Sequence, residues 1–130
     1  MPAYTSEPYD DLIAGYVVPL ATTSVIIKAG TGVITRGTVL GVVGQLPASD
    51  NHPLTPIVAK VDSTKTDGSQ YPYAILADQT LDATTEDVRA TGFVGGEFNI
   101  SALKFGGTDT AAQHAVAMRN VNLIPKRIVE

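Results

Sequence analysis

Apolar, β-branched residues fall in short runs along most of the chain, and each run is cut by glycine, proline or threonine. VVPL (17–20), SVIIKA (24–29), GVIT (32–35) and TVLGVV (38–43) have this form, which predicts short strands joined by tight turns. Residues 44–56, GQLPASDNHPLTP, hold three prolines and a cluster of turn formers and predict a loop. IVAKV (57–61) reads as a strand and DSTKTDGSQYP (62–72) as a second loop. YAILA (73–77) is a strand again, followed by the acidic stretch DQTLDATTED (78–87), read as a solvated loop. VRATGFVGG (88–96) predicts a strand that ends on turn glycines at 95 and 96.

Helical spacing enters only in the last third. NISALKF (99–105) allows one short turn. TDTAAQHAVAM (108–118) offers Thr108 or Asp109 as N-cap, with Ala112, Ala115, Val116 and Met118 on one loosely shared face. Asn120 is a stop, and VNLI (121–124) returns to strand before Pro125. The expected fold class is mainly β, compact, with one or two short helices and a single domain over residues 17–130.

Within that pattern, VITRGTVLGVV (33–43) is unusual because two apolar runs stop for a charge and a glycine and then resume. Gly37 tolerates a positive φ that Arg36 resists, so Arg36-Gly37-Thr38 is expected as a structural turn. Gly96, Phe98 and Asn99 are read alike: a turn, a core plug and a cap for the short helix from Ile100. Glu97 between them is expected to face solvent or a neighbour.

Residues 1–16, MPAYTSEPYDDLIAGY, sustain no period and are expected to form an extended N-terminal arm. Three of the five tyrosines, Tyr4, Tyr9 and Tyr16, lie here beside Leu12 and Ile13. A solvated tail has no use for such side chains. They either pack back onto the domain or anchor the arm on a partner, and tyrosine's enrichment at contact surfaces favours the partner.

Composition narrows the function. The formal charge is −4, and the first 27 residues carry Glu7, Asp10 and Asp11 with no Lys or Arg. That argues against a nucleic-acid partner, which needs a basic footprint, and against a signal peptide, whose start is basic. No apolar run reaches the roughly 18 residues of a membrane span. Cysteine is absent, so disulfides and thiolate metal sites are excluded. Asn99-Ile100-Ser101 spells a glycosylation acceptor, read as a chance match. Charged residues make up only 17%, below the usual quarter or so, as in a chain whose surface is partly covered by a partner.

Candidate chemistry is sparse. His52 and His114 stand alone, without metal-ligand spacing, and read as surface or structural histidines. Gly30, Gly32 and Gly37 form no phosphate loop. Asp78, Asp82, Glu86 and Asp87 lack the spacing and central glycine of a calcium loop. No serine sits in a nucleophile elbow. The expectation is therefore no enzyme, no cofactor and no metal.

Three segments in order, ITRGTVLGVV (34–43), YAILADQTLDAT (73–84) and GGEFNISALKF (95–105), resemble the head decoration protein family of tailed bacteriophages. In that family an Arg-Gly-Thr turn leads into a Val-Leu-Gly strand, an acidic residue follows an Ala-Ile-Leu strand, and a Gly-Glu-Phe-Asn turn precedes a short helix. LIPKRIV (123–129) is similar to the family's C-terminus. The resemblance spans residues 33–130, with 44–70 an individual insert and no residue-by-residue match in the arm. It implies a β-clip or β-tulip-like domain that binds as homotrimers to the outer surface of the expanded capsid. There it clamps the major capsid protein of the same phage against the pressure of packaged DNA. The implied location is the virion, after synthesis in the bacterial host cytoplasm, with neither nucleic acid nor membrane as partner. Contact roles for Tyr4, Tyr9, Leu12, Ile13 and Tyr16 rest on their chemistry, not on the resemblance. The rival readings are a small β-clip module for carbohydrate or another ligand, and a small hydrolase or lyase.

Overall fold

The computed structural model describes residues 12–15, 19–46 and 55–127. Their elements in chain order are β1 (Ile13–Gly15), β2 (Ala21–Ile27), β3 (Gly32–Thr35), β4 (Val39–Leu46), β5 (Thr55–Lys60), β6 (Ala74–Leu76), β7 (Thr80–Ala83) and β8 (Val88–Asn99). A 3-10 turn (Ile100–Ala102), α1 (Ala111–Asn120) and β9 (Leu123–Lys126) complete them. The fold is mainly β, as the β-branched runs predict.

Five strands close on themselves. β8 pairs with β2, β2 with β5, β5 with β4 and β4 with β6, and β6 returns to β8. Only β2–β5 is parallel in this ring. Closure pairs both edges of these strands, so less backbone is left seeking a partner. The last residues of β8 leave the ring and lie between β1, antiparallel (Ile13↔Phe98, Gly15↔Glu97), and β9, parallel (Gly96↔Leu123 to Asn99↔Lys126). β3 and β7 form a separate two-stranded ribbon, from Gly32↔Ala83 to Thr35↔Thr80.

The strand period sorts the apolar side chains into two cores. Val39 and Ile75 join Leu12, Val61, Phe93, Phe98, Met118 and Leu123 in one; Leu40 and Leu76 join Val25, Ile27, Ile34, Val58, Ala83 and Ala90 in the other. Neighbouring residues of β4 and β6 thus point to opposite cores, as a pleated strand requires.

The structure departs from the sequence reading in several places, among them residues 44–46 and 55–56, expected in the 44–56 loop, which extend β4 and β5, and residues 19–20, expected as strand, which precede β2. Gly95 and Gly96, expected as a turn, lie inside the continuous strand β8. Within the acidic stretch, Thr80–Ala83 is a strand, because Ala83 is buried and Leu81 packs against the second core while Thr80 and Asp82 face out. α1 is capped by Thr110, not Thr108 or Asp109; Thr110 N–H donates to Gln113 Oε1 at 2.7 Å, and the Asp109 carboxylate has other partners. Finally, Ile13–Gly15, expected in the arm, is a strand of the domain.

The packing predicts a contrast. Phe98 is fully buried and sits 5.5 Å, centroid to centroid, from Phe93. Phe98→Ala is expected to cost about 3–5 kcal/mol in urea unfolding. Val116→Ala, at a side chain 73% exposed, is expected to stay within about 0.5 kcal/mol of the parent chain.

Candidate functional site

The arm and turn residues singled out in the sequence, as far as the structure describes them, meet at one place: the root of the N-terminal segment. Leu12 is 2% exposed within the first core, and its carbonyl accepts from Asn99 N–H at 2.6 Å. Ile13 pairs with Phe98. These two side chains therefore pack on the domain. Tyr4, Tyr9 and Tyr16 lie outside the described residues, as does His52.

The 35–38 turn packs onto the same place. Thr38 N–H and Oγ1–H both donate to Thr35 O, at 3.1 and 2.7 Å, and Gly37 has φ +98°. A Cβ at Gly37 would fall on the Ala102 carbonyl and within 3.6 Å of a Leu12 methyl. Lys104 threads beside the turn: its N–H donates to Gly37 O (3.1 Å), its ammonium to Arg36 O (2.7 Å), and Val39 N–H donates to its carbonyl (2.9 Å). Arg36 donates from Nη1 to Ala77 O at 2.5 Å, and its guanidinium lies 5.4 Å from the Phe93 ring centroid, in cation–π range. One turn thereby fixes β3, β4, β6 and the arm root together.

Glu97 corrects an expectation. Rather than facing solvent it is 2% exposed, and its Oε1 accepts from Lys126 Nζ at 2.8 Å. A side chain at Gly15 would start 2.7 Å from that oxygen, so β1 roofs the carboxylate only because Gly15 has none. Asn99 caps the 3-10 turn, its Oδ1 accepting from Ser101 N–H at 3.1 Å. At 8% exposure with that oxygen engaged, Asn99 serves as a structural cap.

A second polar node lies at the start of α1. The Asp109 carboxylate accepts from Ser63 N–H (2.6 Å) and Ser63 Oγ–H (2.7 Å) and contacts His114 Nε2 at 2.7 Å. His114 is 5% exposed and stacks on Phe105 with centroids 5.1 Å apart. The Ser63 hydroxyl, followed by burial opposing it and the His114 bond, holds the Asp109 carboxyl below its ordinary range. Serine and histidine both bond to the carboxylate, and the hydroxyl does not reach the imidazole as a nucleophile relay requires. The node is a fastener between the 62–69 loop and α1. The sequence offered His114 only as a lone histidine, since the Asp109 it contacts is tied to a loop 46 residues away through Ser63.

Among the described residues, no group of three or more His, Cys, Asp or Glu side chains can hold a metal ion. None of their helices is long and apolar enough to cross a membrane. The family model for bacteriophage lambda head decoration protein D matches residues 5–124. The chain belongs to this family. No curated protein matches it. The match spans from within the arm to residue 124. As a head decoration protein the chain belongs to the phage head, and the family is structural rather than enzymatic.

Two outcomes test the geometry of this decoration domain. Gly37→Ala is expected to destabilise it by about 2 kcal/mol or more, from backbone strain and the Ala102 carbonyl, read as a lower urea midpoint. The pH dependence follows from Asp109 together with Asp62, Asp67 and Asp82, whose carboxyls are lowered chiefly by the hydroxyls of Thr64, Ser69 and Thr84. A carboxyl lowered in the folded state contributes stability above its unfolded pKa, near 4, and loses it as pH falls through the lower folded value. Thermal melts should therefore drop below about pH 4. Asp109→Asn should melt lower at neutral pH and lose less on acidification.

Proposed function

We propose that the chain is a cement protein, binding as trimers to the outside of the expanded capsid and holding its major capsid protein against the pressure of packaged DNA. The observation that carries this reading is the family match over residues 5–124. The chemistry of the N-terminal segment supports an arm that contacts the coat through Tyr4 and Tyr9, with Tyr16, just past β1, as a further contact beside its root. The fixed end of that arm is the root at Leu12 and Ile13.

The energetics are compatible with such an arm. Ordering a free segment costs about 1–2 kcal/mol per residue in gross terms, so residues 1–11 alone carry roughly 11–22 kcal/mol. Backbone pairing with a coat strand and tyrosine rings in coat pockets offset this. Pro2 and Pro8 reduce it by restricting the free segment. Three arms on one trimer add avidity, of order 10²–10⁴-fold, without new kinds of contact.

Co-sedimentation with heads of the parent phage, unexpanded and expanded, tests the proposal. The full chain should pellet with expanded heads only, and a chain lacking residues 1–11 should stay in the supernatant while melting normally. Binding that survives the deletion would keep the role and move the anchor to the domain. Failure of the full chain to bind either form would sink it. Sedimentation velocity of the free protein reads the trimer directly.

A further inference from the structure

Three of the chain's nine basic side chains, Lys28, Lys60 and Lys65, line one open basin of about 390 Å³. The topology brings them there. β2 and β5 are parallel neighbours with Ile27 opposite Val58, so their C-terminal ends reach the same rim, and Lys28 N–H donates to Val58 O at 2.8 Å. Lys65 comes from the loop after β5, fixed by its N–H to Asp62 O at 3.1 Å. The buried Gly106 forms part of the wall, where a Cβ would press within 2.9 Å of the Val61 carbonyl and 3.4 Å of the Lys60 stem.

The three ammonium groups in this basin face two carboxylates, Asp62 and Asp67, each of which feels Lys65, so a surplus of one positive charge remains. Its two carboxylates turn back on their own loop: Asp62 Oδ1 accepts from Thr64 N–H and Oγ1–H, at 3.0 and 2.7 Å. Asp67 Oδ1 does the same with Ser69, at 3.0 and 2.6 Å. Among the described residues none of the three ammonium groups has an ion pair or a hydrogen bond. Yet acidic groups outnumber basic ones, 13 to 9. A concave surface whose ammonium groups outnumber its carboxylates, and whose carboxylates already point at their own loop, attracts further carboxylates by complementary potential.

We propose that this basin seats a carboxylate-bearing segment of the coat lattice, as a contact of the domain separate from the arm. The proposal rests on the decoration reading and adds to it the face and the chemistry of a second contact. Its contribution should depend on salt, because exposed charges are screened over about 10 Å at 0.1 M.

The test is binding of the full-length chain, and of its K28E/K65E and K28Q/K65Q variants, to expanded heads across a salt series. Lys28 and Lys65 are exposed, so both variants should melt like the parent chain. Charge reversal is expected to weaken binding about tenfold or more at low salt, with neutralisation intermediate. The parent's affinity should fall with salt more steeply than that of either variant. Reductive methylation should modify the three lysines in the free protein and spare them on heads. Variants that bind like the parent with the same salt slope overturn this contact and leave the decoration reading standing. No binding by the parent chain overturns both. Two further outcomes overturn the coat as occupant. Reversal that instead alters self-association of the free protein assigns the basin to a second copy. Lysines protected in the free chain but exposed on deleting residues 1–11 assign it to the chain's own acidic segment.

Discussion

Strand β8 has to serve two sets of neighbours, and the change of partner happens at Gly95-Gly96. Up to that point it is hydrogen-bonded between β2 and β6, which closes the ring; beyond it, between β1 and β9. The crossing demands a backbone that few residues supply. Gly96 has φ +142°, and a side chain there would meet a Leu20 methyl at 2.7 Å and the Phe98 ring at 3.1 Å. Its N–H donates to Asn122 O at 3.1 Å, and Asn122 itself has a positive φ of 69°. The twist of β8 and the turn into β9 are thus one joint requirement. Phe98, Leu123, Met118 and Leu12 can share a core only because that joint brings β1, β8, β9 and α1 together.

The same joint decides how the N-terminal segment is held. β1 is only three residues long, too short to be stable by pairing alone. Its hold comes from Leu12 below and from Asn99 N–H on the Leu12 carbonyl, with the 35–38 turn closing over the leucine. Glu97 adds a buried charge beneath β1. Such a charge is tolerated when paired, and leaving it unpaired is costly, so Lys126 from β9 is part of the same construction. The first and last of the described strands, β1 and β9, therefore flank one strand end. A pull on residues upstream of Leu12 would be borne by β8, and through it by the closed ring.

Most of this architecture was legible in the sequence where the signal was local. β3, β4, β5, β6 and much of β2 follow from β-branched runs bounded by turn formers, because each buries side chains at every second position or on both faces. β1 was not legible: IAG has no strand signal of its own and becomes one through the distant Phe98. β7 was hidden by its acids, although Leu81 and Ala83 alternate with Thr80 and Asp82 as an edge ribbon requires. Gly95-Gly96 read as a turn because glycine pairs usually punctuate, and nothing local shows that the strand continues with new partners. In the candidate site, Arg36, Gly37, Thr38, Phe98 and Asn99 could be picked out singly. Their convergence on Leu12 could not, being long-range. Glu97 was misjudged for the same reason: its Lys126 partner is 29 residues away.

The polar residues follow a consistent division of labour. Asp62, Asp67 and Asp82 each accept from the backbone and hydroxyl of the residue two positions on, and Asn99 accepts from the backbone of Ser101. Asp78 takes Thr91 N–H, Asp87 takes Ala29 N–H, and Asp109 takes Ser63 and His114. Carboxylates are the fasteners of the loops, joining strands that the small helical content does not brace. A carboxylate engaged in this way has its lone pairs directed at fixed donors and serves poorly as an acid or base. The basic groups divide differently. Arg36, Lys104 and Lys126 close the arm root, whereas Lys28, Lys60 and Lys65 stay outward and unpaired around one basin. Three of the unpaired cations are thereby gathered on one face, although the chain as a whole is acidic.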